Sequence, residues 1–283
     1  MAIFRNQATL IFNGRETSSN VTVGELQSGL TLTKTAVTTG YGMGDRIVYV
    51  VNIANSGAAV SGATLTDDLG SYTAGDLTLT PLDYVDGSLL YYINGAPAVS
   101  PEASPGAPLV ISGIDIPQGA NVQLIYEVQT NEFAPLESGA EITNTATLNG
   151  GGIAEALSDS ATVAARDDVS LTIAKALCPP VVNDNDPLTY TFIIQNSGNT
   201  EIEATDGVTV RDTFNPILTD IEVRFNGTLW TEGVEYEYDE ATGLFTTNSG
   251  SITVPAASYA QSTETGAYYM TPGVSVITVS GTV

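Results

Sequence analysis

The chain has 283 residues, enough for two ordinary domains each able to bury a core of its own. Its 32 Asp and Glu against 8 Lys and Arg give a formal net charge of -24, which repels nucleic-acid phosphates and anionic lipid and reads as the acidic coat of a secreted or surface protein. There is no histidine and a single cysteine, so the commonest general base and metal ligand are missing and an intramolecular disulfide framework is excluded.

The opening, Met-Ala-Ile-Phe-Arg-Asn, shows no basic region followed by an apolar run, and no stretch approaches the ~20 apolar residues that span a bilayer. No signal or anchor is expected, which leaves two routes out of the cell: a leader already removed, or release when a mother cell lyses around a spore. Phe4, Asn6, Ala8, Leu10 and Phe12 alternate, so one strand carrying them to a common face is predicted. Asn20 to Val23 form a second short strand, and Gly24 to Gly29 read as a linker. The arm therefore spans 1–24.

From residue 30 onward, Thr, Val, Ile, Tyr and Gly dominate, and turn residues recur every ten or so positions. No long stretch has apolar residues at helical spacing, so the expected class is all-β with helix nearly absent. The first domain is placed at 30–166 and the second at 169–283, joined by a linker from Ala164 to Val169. Cys178, before Pro179 and Pro180, is read as an idle thiol in a loop. Asn183-Asp-Asn-Asp186 offers oxygen ligands without the spacing of a known calcium loop and is read as a solvated turn, so no metal and no cofactor are expected. Tyr91, Tyr92, Trp230, Tyr236 and Tyr238 fall in alternating segments and are expected to pack against the sandwiches.

Internal repetition is the most informative feature. Leu30-Thr-Leu-Thr-Lys34 recurs as Leu171-Thr-Ile-Ala-Lys175, a spacing of 141 residues (175 - 34). Gly44-Asp-Arg-Ile-Val-Tyr49 and Asn55-Ser-Gly57 are echoed by Asp186-Pro-Leu-Thr-Tyr190 and Asn196-Ser-Gly198, and Thr66-Asp67 by Arg211-Asp212. After the strand ending at Val128 the first repeat continues through Ile142-Thr-Asn144-Thr-Ala-Thr-Leu148 and Ser160-Ala-Thr-Val163. The second repeat stops at the counterpart of Val128, in Gly273–Val283. The absent piece stands at the other end of the chain: Phe4-Arg-Asn6-Gln-Ala-Thr-Leu10 matches the Asn144 strand, and Asn20-Val-Thr-Val23 matches Ser160 to Val163.

These residues resemble the "domain of unknown function eleven" repeat of bacterial and archaeal surface proteins: a Lys ending an alternating strand, Gly-Asp-x-x-x-Tyr, Asn-x-Gly, Asp-x-Leu and a closing Asn-Thr-Ala-Thr. The resemblance implies an immunoglobulin-like β-sandwich, a stalk or wall role and no turnover chemistry. The fold expected is thus two tandem immunoglobulin-like sandwiches, the second one incomplete.

A sandwich that ends early exposes unpaired N–H and C=O groups and an open slot, so something must fill it. Folding back would carry the arm past the first domain, roughly 35 Å for a ten-residue strand, on too short a linker. The expected donor is the arm of a neighbouring copy, an open head-to-tail contact that propagates a homopolymer. Deployment on a cell or spore surface follows, with no nucleic-acid partner and no membrane insertion. The alternative is a surface adhesin or ligand-binding module in which a loop or aromatic groove matters more than the termini.

Only two lysines exist, Lys34 and Lys175, at matching places in the two repeats. Alternation puts each on an apolar face, so both ammonium groups are expected to be buried, which favours the neutral, nucleophilic amine. Lys on an early strand, Asp on a middle one and Asn on the last resembles the intramolecular isopeptide domains of Gram-positive pili and adhesins. The resemblance implies one set of Lys34, Asp67 and Asn144 within the subunit, with Asp68 as a substitute for Asp67. The other set would be Lys175 and Asp212 with Asn6 of the next subunit. In each the amine attacks the carboxamide carbon, the Asp relays protons and ammonia leaves. The competing account is that each Lys forms a buried ion pair with its Asp and each Asn caps a strand.

Overall fold

The computed structural model describes residues 2–26 and 29–283; Met1, at the tip of the predicted arm, and Gln27 and Ser28, in the predicted linker, lie outside the described residues. Strands dominate, and the only helical element among the described residues is the single 3-10 turn Ala204–Asp206. The chain divides into two compact units, one built mostly from the residues up to Ala165 and the other mostly from Arg166 onward.

In the first unit two sheets face each other. One runs Ala96–Pro97, Leu90–Ile93, Asn121–Thr130, Arg46–Asn55, Leu30–Ala36; the other runs Glu102–Ser104, Leu109–Ile116, Val60–Asp67, Glu141–Gly150, Leu157–Ala165, Gly40–Tyr41. Period-2 alternation explains the core. Ile47, Tyr49, Val51 and Ile53 face Val122, Leu124, Tyr126 and Val128 on one sheet, while Ala63, Leu65, Leu109, Ile111, Ala146 and Leu148 close the other side.

The Asn-Ser-Gly repeat has a structural job. Asn55 Oδ1 accepts the Gly57 N–H and its Nδ2 donates to the carbonyls of Ala58, Ile116 and Pro117, so one buried carboxamide satisfies a whole corner. Asn196 repeats this with the Gly198 N–H and the Thr200 carbonyl. Gly198 is required there because a Cβ would run into the Asp168 carbonyl.

In the second unit one sheet runs Leu171–Cys178, Pro187–Asn196, Gly273–Thr282, Thr219–Phe225, Thr228–Leu229, and a smaller one runs Arg211–Thr213, Leu244–Thr247, Tyr236–Asp239. Its core is aromatic: Phe214 stacks on Tyr190 and Phe245, and Trp230 on Phe225. Tyr91 and Tyr236 are likewise buried, as their alternation requires.

Laid strand against strand, the two units differ beside the strands that carry Asp67 and Asp212. In the first, the Asp67 strand is followed in its sheet by Glu141–Gly150 and then by Leu157–Ala165. In the second, the Asp212 strand pairs with Leu244–Thr247 on one side and with nothing among the described residues on the other. All eight residues of Leu171–Cys178 are exposed, including Leu171, Ile173 and Leu177, whereas its counterpart Leu30–Ala36 is packed under Leu157–Ala165 and buries Leu30 and Lys34.

Among the described residues the arm forms ladders only with itself: Ala2–Asn6 pairs with Thr22–Leu26 and Thr9–Phe12 with Arg15–Ser18, closing on Asn13-Gly14, both with positive φ as a tight hairpin turn needs. The predicted single strand is corrected here. It breaks at Gln7 and Ala8, because three residues, Ser19 to Val21, oppose those two, and Ser19 ties the bulge through the Ala8 and Gln7 bonds. Phe4, Leu10 and Phe12 are exposed, Leu10 by 65% and Phe12 by 72%. Cys178 is also corrected: it is the exposed last residue of its strand, not part of a loop.

Candidate functional site: two lysine–aspartate centres

Lys34 lies at the middle of the Leu30–Ala36 strand and Asp67 at the end of Val60–Asp67, on opposite sheets of the first sandwich, and their side chains meet in the core. Lys34 Nζ is 2.6 Å from Asp67 Oδ2, and the two side chains are 0% and 1% exposed. The same Oδ2 accepts the Tyr126 hydroxyl, and Oδ1 accepts the Leu69 N–H at 3.0 Å. The Lys34 strand is held from behind, its backbone N–H donating to Asp159 Oδ2 at 2.7 Å. Burial pulls the Lys34 pKa below the ordinary 10.5, against the opposing pull of Asp67.

Asn144 joins this pair through sheet geometry. Asp67 stands opposite Ala146, and Asn144, two residues back, shares its inward face. Asn144 is 0% exposed, yet neither its Nδ2 nor its Oδ1 makes a hydrogen bond. The expected strand-capping role for this carboxamide is therefore absent, while the expected ion pair is present. An unsatisfied buried polar group costs about 1–3 kcal/mol, so a buried carboxamide without a well-formed hydrogen bond is an arrangement that calls for a reason.

Asp68 is turned away from this centre. Its Oδ1 accepts the N–H groups of Gly70 and Thr145, which pins the Asp67 turn to the Asn144 strand and leaves Asp67 as the carboxylate facing Lys34. Two residues of the centre escaped sequence reasoning. Tyr126 is indistinguishable from a core tyrosine on an alternating strand, and Asp159 reads as surface charge; only the three-dimensional pairing reveals either.

The second centre keeps the pair and loses its cover. Lys175 Nζ is bonded to Asp212 Oδ2, with the aromatic faces of Tyr190, Phe192 and Phe214 around it, Tyr190 nearest at 4.2 Å. The expected burial of Lys175 is overturned: its side chain is 38% exposed and that of Asp212 22%. The reason is that, among the described residues, no strand stands where Glu141–Gly150 and Leu157–Ala165 stand in the first unit. Asn6, on the arm, is exposed, and its carbonyl accepts the Thr22 hydroxyl at 3.1 Å. Within the single chain Lys34 meets Asp67 and Lys175 meets Asp212, and Asn144 shares the inward face of the first pair.

No cluster of metal-ligating side chains occurs among the described residues, and Asn183 to Asp186 form a closed turn in which Asp186 Oδ2 accepts the Asn183 N–H and Nδ2.

No protein-family model and no curated protein matches the chain, so the repeat-family resemblance stands on the residues quoted above. Among solved structures the chain is similar to BcpA, the major pilin subunit of Bacillus cereus, at 13% identity over 95% of this chain and 73% of that one, with a TM-score of 0.37. It is similar to the major pilin SpaD of Corynebacterium diphtheriae at 12% identity over 86% and 59%, TM-score 0.35. A collagen-binding subdomain of the Enterococcus faecalis surface protein ACE matches at 9% identity over 50% and 99%, TM-score 0.32.

Proposed function

We propose that this protein is the structural subunit of a self-assembling extracellular fibre. Its N-terminal arm completes the second sandwich of a neighbouring copy, and amide bonds lock the assembly: Lys34 to Asn144 within a subunit, Lys175 to the neighbour's Asn6 between subunits. It is deployed on a cell or spore surface, it performs no turnover, and its partner is itself.

The observation that carries this reading is the second sandwich's uncovered Lys175–Asp212 pair, beside an unpaired strand edge and a bare apolar strand, where the first sandwich has two more strands. The arm supplies a hairpin with an Asn among exposed apolar side chains, the composition of the Asn144 strand it would replace. Main-chain pairing along Arg211–Thr213 would give affinity, and the apolar side chains would fill the slot. The unpartnered carboxamide of Asn144 supports the chemistry, since condensation with Lys34 removes its bare nitrogen as ammonia.

Deleting residues 1–24 tests the reading. The full chain is expected to give ladders that resist boiling in SDS, the truncated chain monomers. Lys175→Ala or Asn6→Ala should leave fibres that fall apart on boiling. Ladders that survive either substitution would refute the intersubunit bond, and fibres from the truncated chain would refute strand donation.

A further inference from the structure

Three buried polar atoms of the first sandwich, the Tyr49 hydroxyl and both ends of the Asn144 carboxamide, make no well-formed hydrogen bond, and the electrostatics of Tyr49 put its hydroxyl in weak hydrogen-bonding range of Asn144. Tyr49 sits on Arg46–Asn55, fully buried, with the face of its ring 4.5 Å from Lys34 Nζ. Its hydroxyl reaches the other reactant. Burial raises its pKa, and the adjoining Asn144 carboxamide acts in the opposite direction. One side chain therefore adjoins both groups that the amide bond would join. Tyr126, by contrast, has spent its hydroxyl on Asp67.

We propose that Tyr49 is a catalytic residue of amide formation, its hydroxyl donating to Asn144 Oδ1 as negative charge develops there. The inference rests on the Lys34–Asn144 reading above. A proton first moves from Lys34 Nζ to Asp67, leaving an amine and a carboxylic acid. The Nζ lone pair attacks Asn144 Cγ, the C–N bond forms, and the carbonyl π electrons move to Oδ1, where the Tyr49 O–H meets them. Asp67 then gives its proton to Nδ2. The oxyanion collapses, the Cγ–Nδ2 bond breaks and ammonia leaves, and Asp67 takes a proton back from the new amide nitrogen. The division frees Asp67 to act as the proton shuttle while a fixed donor, desolvated and unable to reorganise, holds the charge.

The second repeat keeps this tyrosine and drops the other. Tyr190 occupies the place of Tyr49, its ring 4.2 Å from Lys175 Nζ, with its hydroxyl making only a long 3.4 Å contact to the Asn215 carbonyl. The residue facing it across the ladder is Val279, where Tyr49 faces Tyr126. The tyrosine beside the lysine is thus common to both units, whereas the Tyr126 contact to Asp67 has no counterpart in the second.

The test is a pulse of synthesis of the full chain followed by a chase, with intact mass under denaturing conditions reading the loss of one ammonia and peptide mapping assigning it to Lys34 and Asn144. Tyr49→Phe, which keeps the ring, should slow that loss on the order of a hundredfold. Fluorotyrosine placed at position 49 alone, a stronger donor of nearly the same size, should speed it. That second variant keeps the test decisive if Tyr49→Phe fails to fold. Wild-type rates in both variants would overturn the role of Tyr49 with the amide bond intact. No ammonia loss in the wild-type chain would overturn the bond itself, and the role of Tyr49 with it.

Discussion

The two lysine–aspartate pairs are a matched experiment in what burial does to an ion pair. Consider Asp67→Ala and Asp212→Ala, each in a chain carrying Asn144→Ala so that no intramolecular amide complicates the comparison. Asp67→Ala leaves the Lys34 ammonium in a core where it is 0% exposed and strips the acceptor from the Tyr126 hydroxyl and the Leu69 N–H. Orphaning a buried charge in this way costs about 3–5 kcal/mol. Asp212→Ala leaves a lysine that is 38% exposed and turns to water, a cost of about 1 kcal/mol or less. Replacing both partners of the buried pair, as Lys34→Met with Asp67→Leu, should recover most of the loss, because the penalty lies in the uncompensated charge. Trp230, the only tryptophan, stacks on Phe225 in the second unit, so urea melts followed by its fluorescence report that unit, while far-UV circular dichroism reports both. Equal losses for the two substitutions would refute the reasoning, as would an Asp67→Ala cost under about 1 kcal/mol.

Three further outcomes are expected. Burial lowers the Lys34 pKa, so between that depressed value and the ordinary 10.5 the unfolded chain binds more protons than the folded one. In the Asn144→Ala chain the first unit should therefore gain stability as pH rises through that window; in the wild type, amide formation, which uses the proton that Lys34 hands to Asp67, should slow as that proton is lost, and profiles flat across the window would refute both. Gly70 has φ +69° in the turn that follows Asp67, and a Cβ there would stand 2.5 Å from Ile142 Cγ2 and 3.3 Å from Pro81, so Gly70→Ala should cost about 2 kcal/mol in the first unit's melt and slow its ammonia loss. Changing Phe4, Leu10 and Phe12 together to Ser should weaken fibre assembly in sedimentation while shifting the melts of either unit by no more than about 0.5 kcal/mol, since all three are exposed in the single chain.

Much of the first centre was legible from spacing. An alternating strand needs only its own residues to say which way Lys34 points, and the Asn144 strand is read the same way. The paired use of Lys34 and Lys175, the only lysines, marked the positions as special before any contact was known. Tyr49 stood in a repeated motif, but its second neighbour, Asn144, is 95 residues further on (144 - 49), beyond the reach of any local pattern.

What sequence determined by itself was the strand content and the inward face of nearly every long strand, because a period of two is a local property of the backbone. Tertiary structure alone decided which inward-facing polar groups meet, that Tyr126 rather than water completes Asp67, and that Lys175 lies open where Lys34 is sealed. Burial of a strand's face depends on whether another strand lies over it, and for the second sandwich that strand is not supplied where the pattern of Leu171–Cys178 expects it. The bulge opposite Gln7 and Ala8 escaped for a related reason: a register shift belongs to the pair of strands, and neither strand shows it alone.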